Sequence, residues 1–144
     1  MVNRTIVSRF AGDLPLAEGA PRKIPGGPLY PAAEVLALLE REREQGIQPW
    51  TRKCKSDAQR FGLDLHDLCV LLEQALRSGR FRDSEWCQQG SDGPWAACDA
   101  YQLLRQEWIE NAHKHMTVEY YLKFALARTG RVLLLVSCHL SENW

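Results

Sequence analysis

His115-Met-Thr-Val-Glu-Tyr-Tyr-Leu-Lys-Phe-Ala-Leu-Ala-Arg128 alternates along its length, and after Thr129-Gly130 comes a second arm, Arg131-Val-Leu-Leu-Leu-Val-Ser-Cys-His-Leu140. In an extended chain Met116, Val118, Tyr120, Leu122, Phe124 and Leu126 share one face, while Thr117, Glu119, Tyr121 and Lys123 share the other. The second arm is apolar on both faces until Ser137, the pattern of a central strand covered on two sides. A helix is the rival reading. It is disfavoured by the period of two, by the frequent β-branched and aromatic residues, and by Thr-Gly at a hinge that needs positive φ. The stretch is therefore expected to be a hairpin. A three-residue loop at 129–131 pairs Arg128 with Val132, which sets Tyr121 opposite His139 and Lys123 opposite Ser137. A two-residue loop would shift the register by one and scatter these four polar side chains.

Working outward, the 144 residues suit one domain with one core. Lysine plus arginine and aspartate plus glutamate number 18 each, so no global field draws the chain to nucleic acid or to an anionic membrane, and any phosphate site must be local. No apolar run approaches the ~20 residues of a membrane helix. The N-terminal residues lack the apolar core of a secretion signal, and a cytoplasmic protein with no membrane partner is expected. Five cysteines, Cys54, Cys69, Cys87, Cys98 and Cys138, form no close pair in sequence and are expected as reduced, buried thiols. His113 and His115, with Cys87 or Cys98, have weakly specific metal-ligand spacing. A wet strand entry is the preferred reading, so no metal and no cofactor is assigned.

Residues 1–27 hold Gly12, Gly19, Gly26, Gly27, Pro15, Pro21 and Pro25 without a sustained period, and are expected to be a flexible arm, ordered only if it docks. Residues 28–144 are expected to form a single α+β domain. A helix over 31–44 presents Val35, Leu36, Leu38 and Leu39; a basic connector over 50–55 follows; a short helix starts at its cap Ser56; and a longer helix over 65–77 is capped by Asp64 and stopped by Gly79. After Gly79 a strand over 80–86 and a polar turn over 88–94 are expected. Residues 95–109 stay open: period alone favours a helix, and order along the chain favours a strand at least through Tyr101. Helices first and strands afterwards give an antiparallel meander with the N-terminal helices on one face.

Several short strings fall in one collinear order: Pro28-Leu29-Tyr30 before Ala32-Ala33-Glu34-Val35, Gly62-Leu63-Asp64 with Cys69 in the next helix, Phe81 and Ser84, Trp95 with Asp99 and Tyr101, Tyr121-Leu122-Lys123, and Val136-Ser137. Together they resemble the MqsR family, the motility quorum-sensing regulator toxins of bacterial toxin-antitoxin pairs, over about residues 28–140. The resemblance implies a RelE-like fold, a metal-independent endoribonuclease acting on mRNA, and a cognate antitoxin protein as partner. It matches Tyr121 to the catalytic tyrosine and sets His139 where the family has a lysine. The chain departs from the family at Asp83, which occupies a catalytic lysine position with Arg82 one residue away on the opposite face of an ideal strand, and at Cys98, which occupies a glutamine position. An expansion between Tyr101 and Met116 also lies outside the likeness.

Chemistry gives the same residues independent roles. RNA is cut without metal when the 2′-hydroxyl loses its proton, the extra phosphorane charge is stabilised and the leaving 5′-oxygen gains a proton. Histidine suits both proton steps near neutral pH. The expected catalytic set is His139 as general acid or base, Tyr121 as proton donor or positioning group, and Lys123 as phosphate clamp; Arg82, Lys53, Lys55 and Trp50 are the expected RNA-binding residues. The alternative is a catalytically degenerate toxin-fold protein that binds protein or RNA.

Overall fold

The computed structural model describes residues 2–140; the last four residues of the expected domain, 141–144, lie outside the described residues. The chain order is β1 (Lys23–Ile24), α1 (Ala32–Glu42), a 3₁₀ turn, β2 (Ile47–Pro49), α2 (Arg52–Arg60), α3 (Leu65–Ser78), β3 (Arg80–Gln88), β4 (Trp95–Ile109), a second 3₁₀ turn, β5 (Lys114–Leu126) and β6 (Leu133–Leu140). The strands form one six-stranded sheet in the order β1-β3-β4-β5-β6-β2, antiparallel except for the β2–β6 pair. The fold is α+β, with β3 to β6 as the expected meander.

Local chemistry explains the helices. In α3 the Asp64 side chain accepts from the Asp67 N–H while the Asp67 side chain accepts from the Asp64 N–H, and Gly79 closes the other end. Helix α2 corrects the expectation for this segment. Thr51, not Ser56, is its cap, because the Thr51 hydroxyl accepts from the Cys54 N–H, so the expected connector over 50–55 is mostly the first turn of a helix.

One core joins the two layers. Leu68, Leu71 and Leu72 of α3, Val35, Leu38 and Leu39 of α1, and Cys54 and Ala58 of α2 pack with Tyr101, Leu103, Tyr120, Leu122, Phe124 and Cys138 from the sheet. Phe81, Tyr101 and Phe124 run across three strands with ring centroids 5.7 and 5.9 Å apart. The sheet residues named here lie on one face; Ala96, Cys98, Ala125 and Leu134, buried in the same cluster, alternate onto the other. The other face carries Gln102, Glu119, Tyr121, Lys123, Ser137 and His139, which alternation requires.

Residues 2–27, expected as a flexible arm, are tied to the sheet by backbone pairing. The Val7 N–H donates to the Trp95 carbonyl, and the Arg9 N–H to that of Leu126. Phe10, Leu14 and Ile24 cover Trp86, Trp95 and Ala97. The arm also supplies the edge strand β1, so the sheet extends across the boundary expected at 27/28.

The undecided segment 95–109 is strand throughout, because its backbone pairs with β5 from Asp99 to Ile109. In that strand Tyr101 and Ile109 point one way and Leu104 and Trp108 the other, so the apparent helical stripe is split between two faces. Pairing with β3 ends at Gln102 and pairing of β5 with β6 at Tyr120–Leu140. Beyond those positions, among the described residues, β4 and β5 continue as a two-stranded ribbon.

Buried Asp99 ties the 29–30 turn to the sheet. Its carboxylate accepts from the backbone N–H groups of Leu29 (3.0 Å) and Tyr30 (3.1 Å) and from the Ser84 hydroxyl (2.7 Å). Gly27 is needed beside it: a Cβ there would lie 2.3 Å from Ser84 Oγ and 2.7 Å from the Phe81 ring. Asp99→Ala leaves three buried donors without an acceptor and is expected to lower the unfolding free energy by about 3 kcal/mol or more, read from denaturant midpoints.

Candidate active site

The hairpin reaches its expected far register by an unexpected route. Ala127 pairs with Val132 through its N–H, so the loop spans four residues, 128–131, with Gly130 at φ 72°. Arg128 does not pair with Val132; its N–H goes to the Val7 carbonyl of the arm. Four residues alone would displace every later pair by one. A bulge corrects this: Phe124 faces Leu135 and Lys123 faces Ser137, leaving Val136 as the extra residue. Tyr121 therefore stands opposite His139 as expected.

Thr51 holds that bulge. Its hydroxyl donates to the Val136 carbonyl at 2.7 Å while accepting from the Cys54 N–H at 3.1 Å, so one side chain caps α2 and satisfies a carbonyl that the bulge removes from the ladder. The neighbouring Trp50 N–H donates to the Leu135 carbonyl at 2.8 Å.

The open sheet face then forms two rows. The first runs Asp83, Ala100, Lys123, Ser137 across four strands, and the second runs Gln102, Tyr121, His139. Small side chains at Ala100 and Ser137 leave a cleft of about 320 Å³, walled by Tyr121, Lys123, His139, Arg82, Asp83, Lys23 and Lys53. The Tyr121 and His139 rings are stacked with centroids 6.3 Å apart.

Arg82 reaches the cleft because β3 is not an ideal strand. Its register shifts between Phe81 and Asp83, making Arg82 the extra residue of a second bulge, and both Arg82 and Asp83 line the cleft. The expectation that Arg82 and Asp83 point to opposite faces is thereby corrected. Arg82 Nη1 donates to Gln102 Oε1 at 3.3 Å.

Electrostatics set the proton states. Burial alone would lower the Lys123 pKa, yet its contact with the Glu85 carboxylate leaves it above the ordinary lysine value. Burial would raise Glu85, but Lys123 and Lys23 hold it below the usual carboxylate range. A raised lysine stabilises the fold until pH climbs through its folded value, and a lowered glutamate does so until pH falls through its own, so the pair persists through neutral pH. Lys23 Nζ lies 2.5 Å from Asp83 Oδ2 and 3.5 Å from Glu85 Oε2. The Tyr121 pKa is raised chiefly by its hydrogen bond to Glu119, which keeps the phenol protonated.

Of the expected RNA-binding set, Arg82 and Lys53 line this cleft. Lys53 also lines a larger groove of about 810 Å³ with Lys55 and Arg52, facing the turn at 88–93. Trp50 is corrected to an anchor. It is 5 % exposed, so it presents no face for a base, and its carbonyl accepts from Gln89 Nε2 at 2.8 Å. Sequence reading missed Glu85, which the period-two alternation from Asp83 signals, and Lys23, whose two-residue strand leaves no pattern. All five cysteines are free, and among the described residues no group of three or more His, Cys, Asp and Glu side chains is arranged to hold a metal ion. No helix among the described residues is long and apolar enough to cross a membrane.

No protein-family model matches the chain, and neither a curated protein nor a solved structure matches it. The site is therefore argued from its own geometry. Glu85→Gln removes the interaction that raises Lys123 and leaves the burial that lowers it. The Lys123 pKa, followed by NMR of the labelled ammonium, is expected to fall below its wild-type value; an unchanged value would contradict the pairing.

Proposed function

We propose that this chain is a metal-independent endoribonuclease with a RelE-like arrangement, acting on single-stranded mRNA in the cytoplasm as the toxin of an MqsR-like pair and restrained by an antitoxin protein. The observation that carries the reading is the direct opposition of Tyr121 and His139 in a cleft that also holds Lys123, Lys53 and Arg82.

In this reading His139 acts as general base on the 2′-hydroxyl proton, and the 2′-oxygen attacks phosphorus. Lys123, Lys53 and Arg82 stabilise the extra negative charge. The protonated phenol of Tyr121 gives its proton to the leaving 5′-oxygen, the P–O5′ bond breaks, and the products carry a 2′,3′-cyclic phosphate and a 5′-hydroxyl. The imidazolium returns its proton to the phenolate, directly or through water, and both groups are restored.

One observation favours the second reading, a binding module without cleavage. Lys123 and Lys23 are already paired with Glu85 and Asp83, and two carboxylates beside a phosphate oppose its approach. For cleavage to occur, incoming phosphate must compete with Glu85 for Lys123.

Labelled RNA incubated with the protein in excess chelator separates the readings. Cleavage to cyclic phosphate ends is expected, slowed about 10²–10⁴-fold in His139→Ala and also slowed in Tyr121→Phe. RNA that is bound but stays intact with all three proteins would overturn the nuclease and leave the module. RNA affinity is expected to fall steeply as salt rises, because neutralised phosphates release counterions; a flat response would remove phosphate contacts from the account.

A further inference from the structure

The ribbon formed by β4 and β5 beyond Gln102 and Tyr121 plays no part in the chemistry above. Its exposed apolar side chains are nevertheless on the cleft's side of the sheet. Alternation puts Gln102, Leu104, Gln106 and Trp108 of β4 on that face, opposite Tyr121, Glu119, Thr117 and His115 of β5. Leu104 is 60 % exposed and Trp108 51 %, large values for residues of this size. The same ribbon's reverse face is secured at its root: Leu103, Val118 and Tyr120 are buried, and the Tyr120 hydroxyl donates to Glu107 Oε2. The ribbon is thus anchored on one side and bare on the other.

Its tip is arranged around an aromatic pair. The Trp108 and His115 rings meet edge to face with centroids 5.4 Å apart, and Trp108 Nε1 donates to Glu110 Oε2 at 2.8 Å, which fixes the indole while leaving half its surface in solvent. Behind the pair, Gln106 Nε2 donates to Thr117 Oγ1 at 2.5 Å, tying the two strands together across the exposed face. The strands are joined at this end through His113, whose left-handed φ of 51° turns the chain back, and Lys114, paired with Ile109, alternates onto the reverse face. An exposed, oriented indole with an imidazole edge against it is a surface on which a nucleobase stacks.

We propose that this ribbon is a second RNA subsite, in which Trp108 and His115 stack a base of the strand whose scissile phosphate lies in the Tyr121–His139 cleft. The inference rests on the reading of that cleft as an RNA site and adds the substrate's extent. Six residue steps along β5 take His115 to Tyr121, about 20 Å of strand, a span of several nucleotides. The substrate is therefore an extended single strand running along β5. A dinucleotide reaches the cleft alone.

The test uses two 2′-O-methyl RNAs, in which the attacking hydroxyl is blocked: a dinucleotide and a strand of about ten nucleotides, within the usual range of single-strand site sizes. Binding is measured for the wild-type chain, Trp108→Ala and Trp108→Phe. The longer strand is expected to bind more tightly than the dinucleotide. Trp108→Ala should weaken the longer strand roughly 5- to 150-fold, the loss of one base stack, and leave the dinucleotide unchanged, while Trp108→Phe should retain most of the affinity. If both RNAs bind and Trp108→Ala alters neither, the subsite is refuted while the cleft reading stands. If Trp108→Ala changes the oligomeric state and not RNA affinity, the patch is a protein interface and the subsite is likewise refuted. If neither RNA binds the wild-type chain, the cleft reading fails and the subsite falls with it.

Discussion

A single hydroxyl holds the site together. Thr51 donates to the carbonyl of Val136, the one residue of β6 that has no opposite number on β5, and accepts the N–H of Cys54 at the start of α2. Without the bulge at Val136, the four-residue loop at 128–131 would leave every later pair displaced by one, and His139 would turn to the core face while Cys138 turned to the open one. The helix cap and the strand register are thus one structural decision. Burial reinforces it, because Cys138 lies fully buried with its Sγ 3.7 Å from that of Cys54.

What the register delivers is a patch of mixed charge over a floor of small side chains. Ala100 and Ser137 create the depression, and the absence of bulk at Ala100 lets Lys123 on β5 reach Glu85 on β3 across the intervening strand. Three of the positive groups there have competing partners: Lys123 with Glu85, Lys23 with Asp83, Arg82 with Gln102. Asp83 and Glu85 thus offset part of the cleft's positive charge. Under the proposed function, an incoming phosphate would compete with those internal contacts.

Much of this was legible from the chain. The period-two alternation of β5 assigned its faces correctly, and Asp64 and Gly79 marked both ends of α3. The register of Tyr121 with His139 was also foreseen, but through two errors that cancel: the loop is one residue longer than expected, and the bulge at Val136 removes the difference. A bulge leaves no mark in an apolar run such as Val132 to Val136, and the one at Arg82 falls where alternation is weak, so neither could be read. Thr51 was passed over for Ser56 because both have the chemistry of a cap; only the approach of β6 distinguishes them. The second half of β4 resisted reading because Leu104 and Trp108 are apolar residues that no other part of the described chain covers, and the hydrophobic pattern that reveals secondary structure depends on one face being buried. The arm's contribution to the sheet was hidden for a different reason: a two-residue strand has no period.

The pairing of β5 with β6 is the claim on which the chemical account stands, and it can be observed in solution through contacts between backbone protons across the two strands. The account predicts cross-strand contacts for Tyr121 with His139 and Lys123 with Ser137, together with Phe124 to Leu135, the combination that a bulge at Val136 alone allows. Contacts of Tyr121 with Cys138 in place of His139 would put the imidazole and the phenol on opposite faces and contradict it.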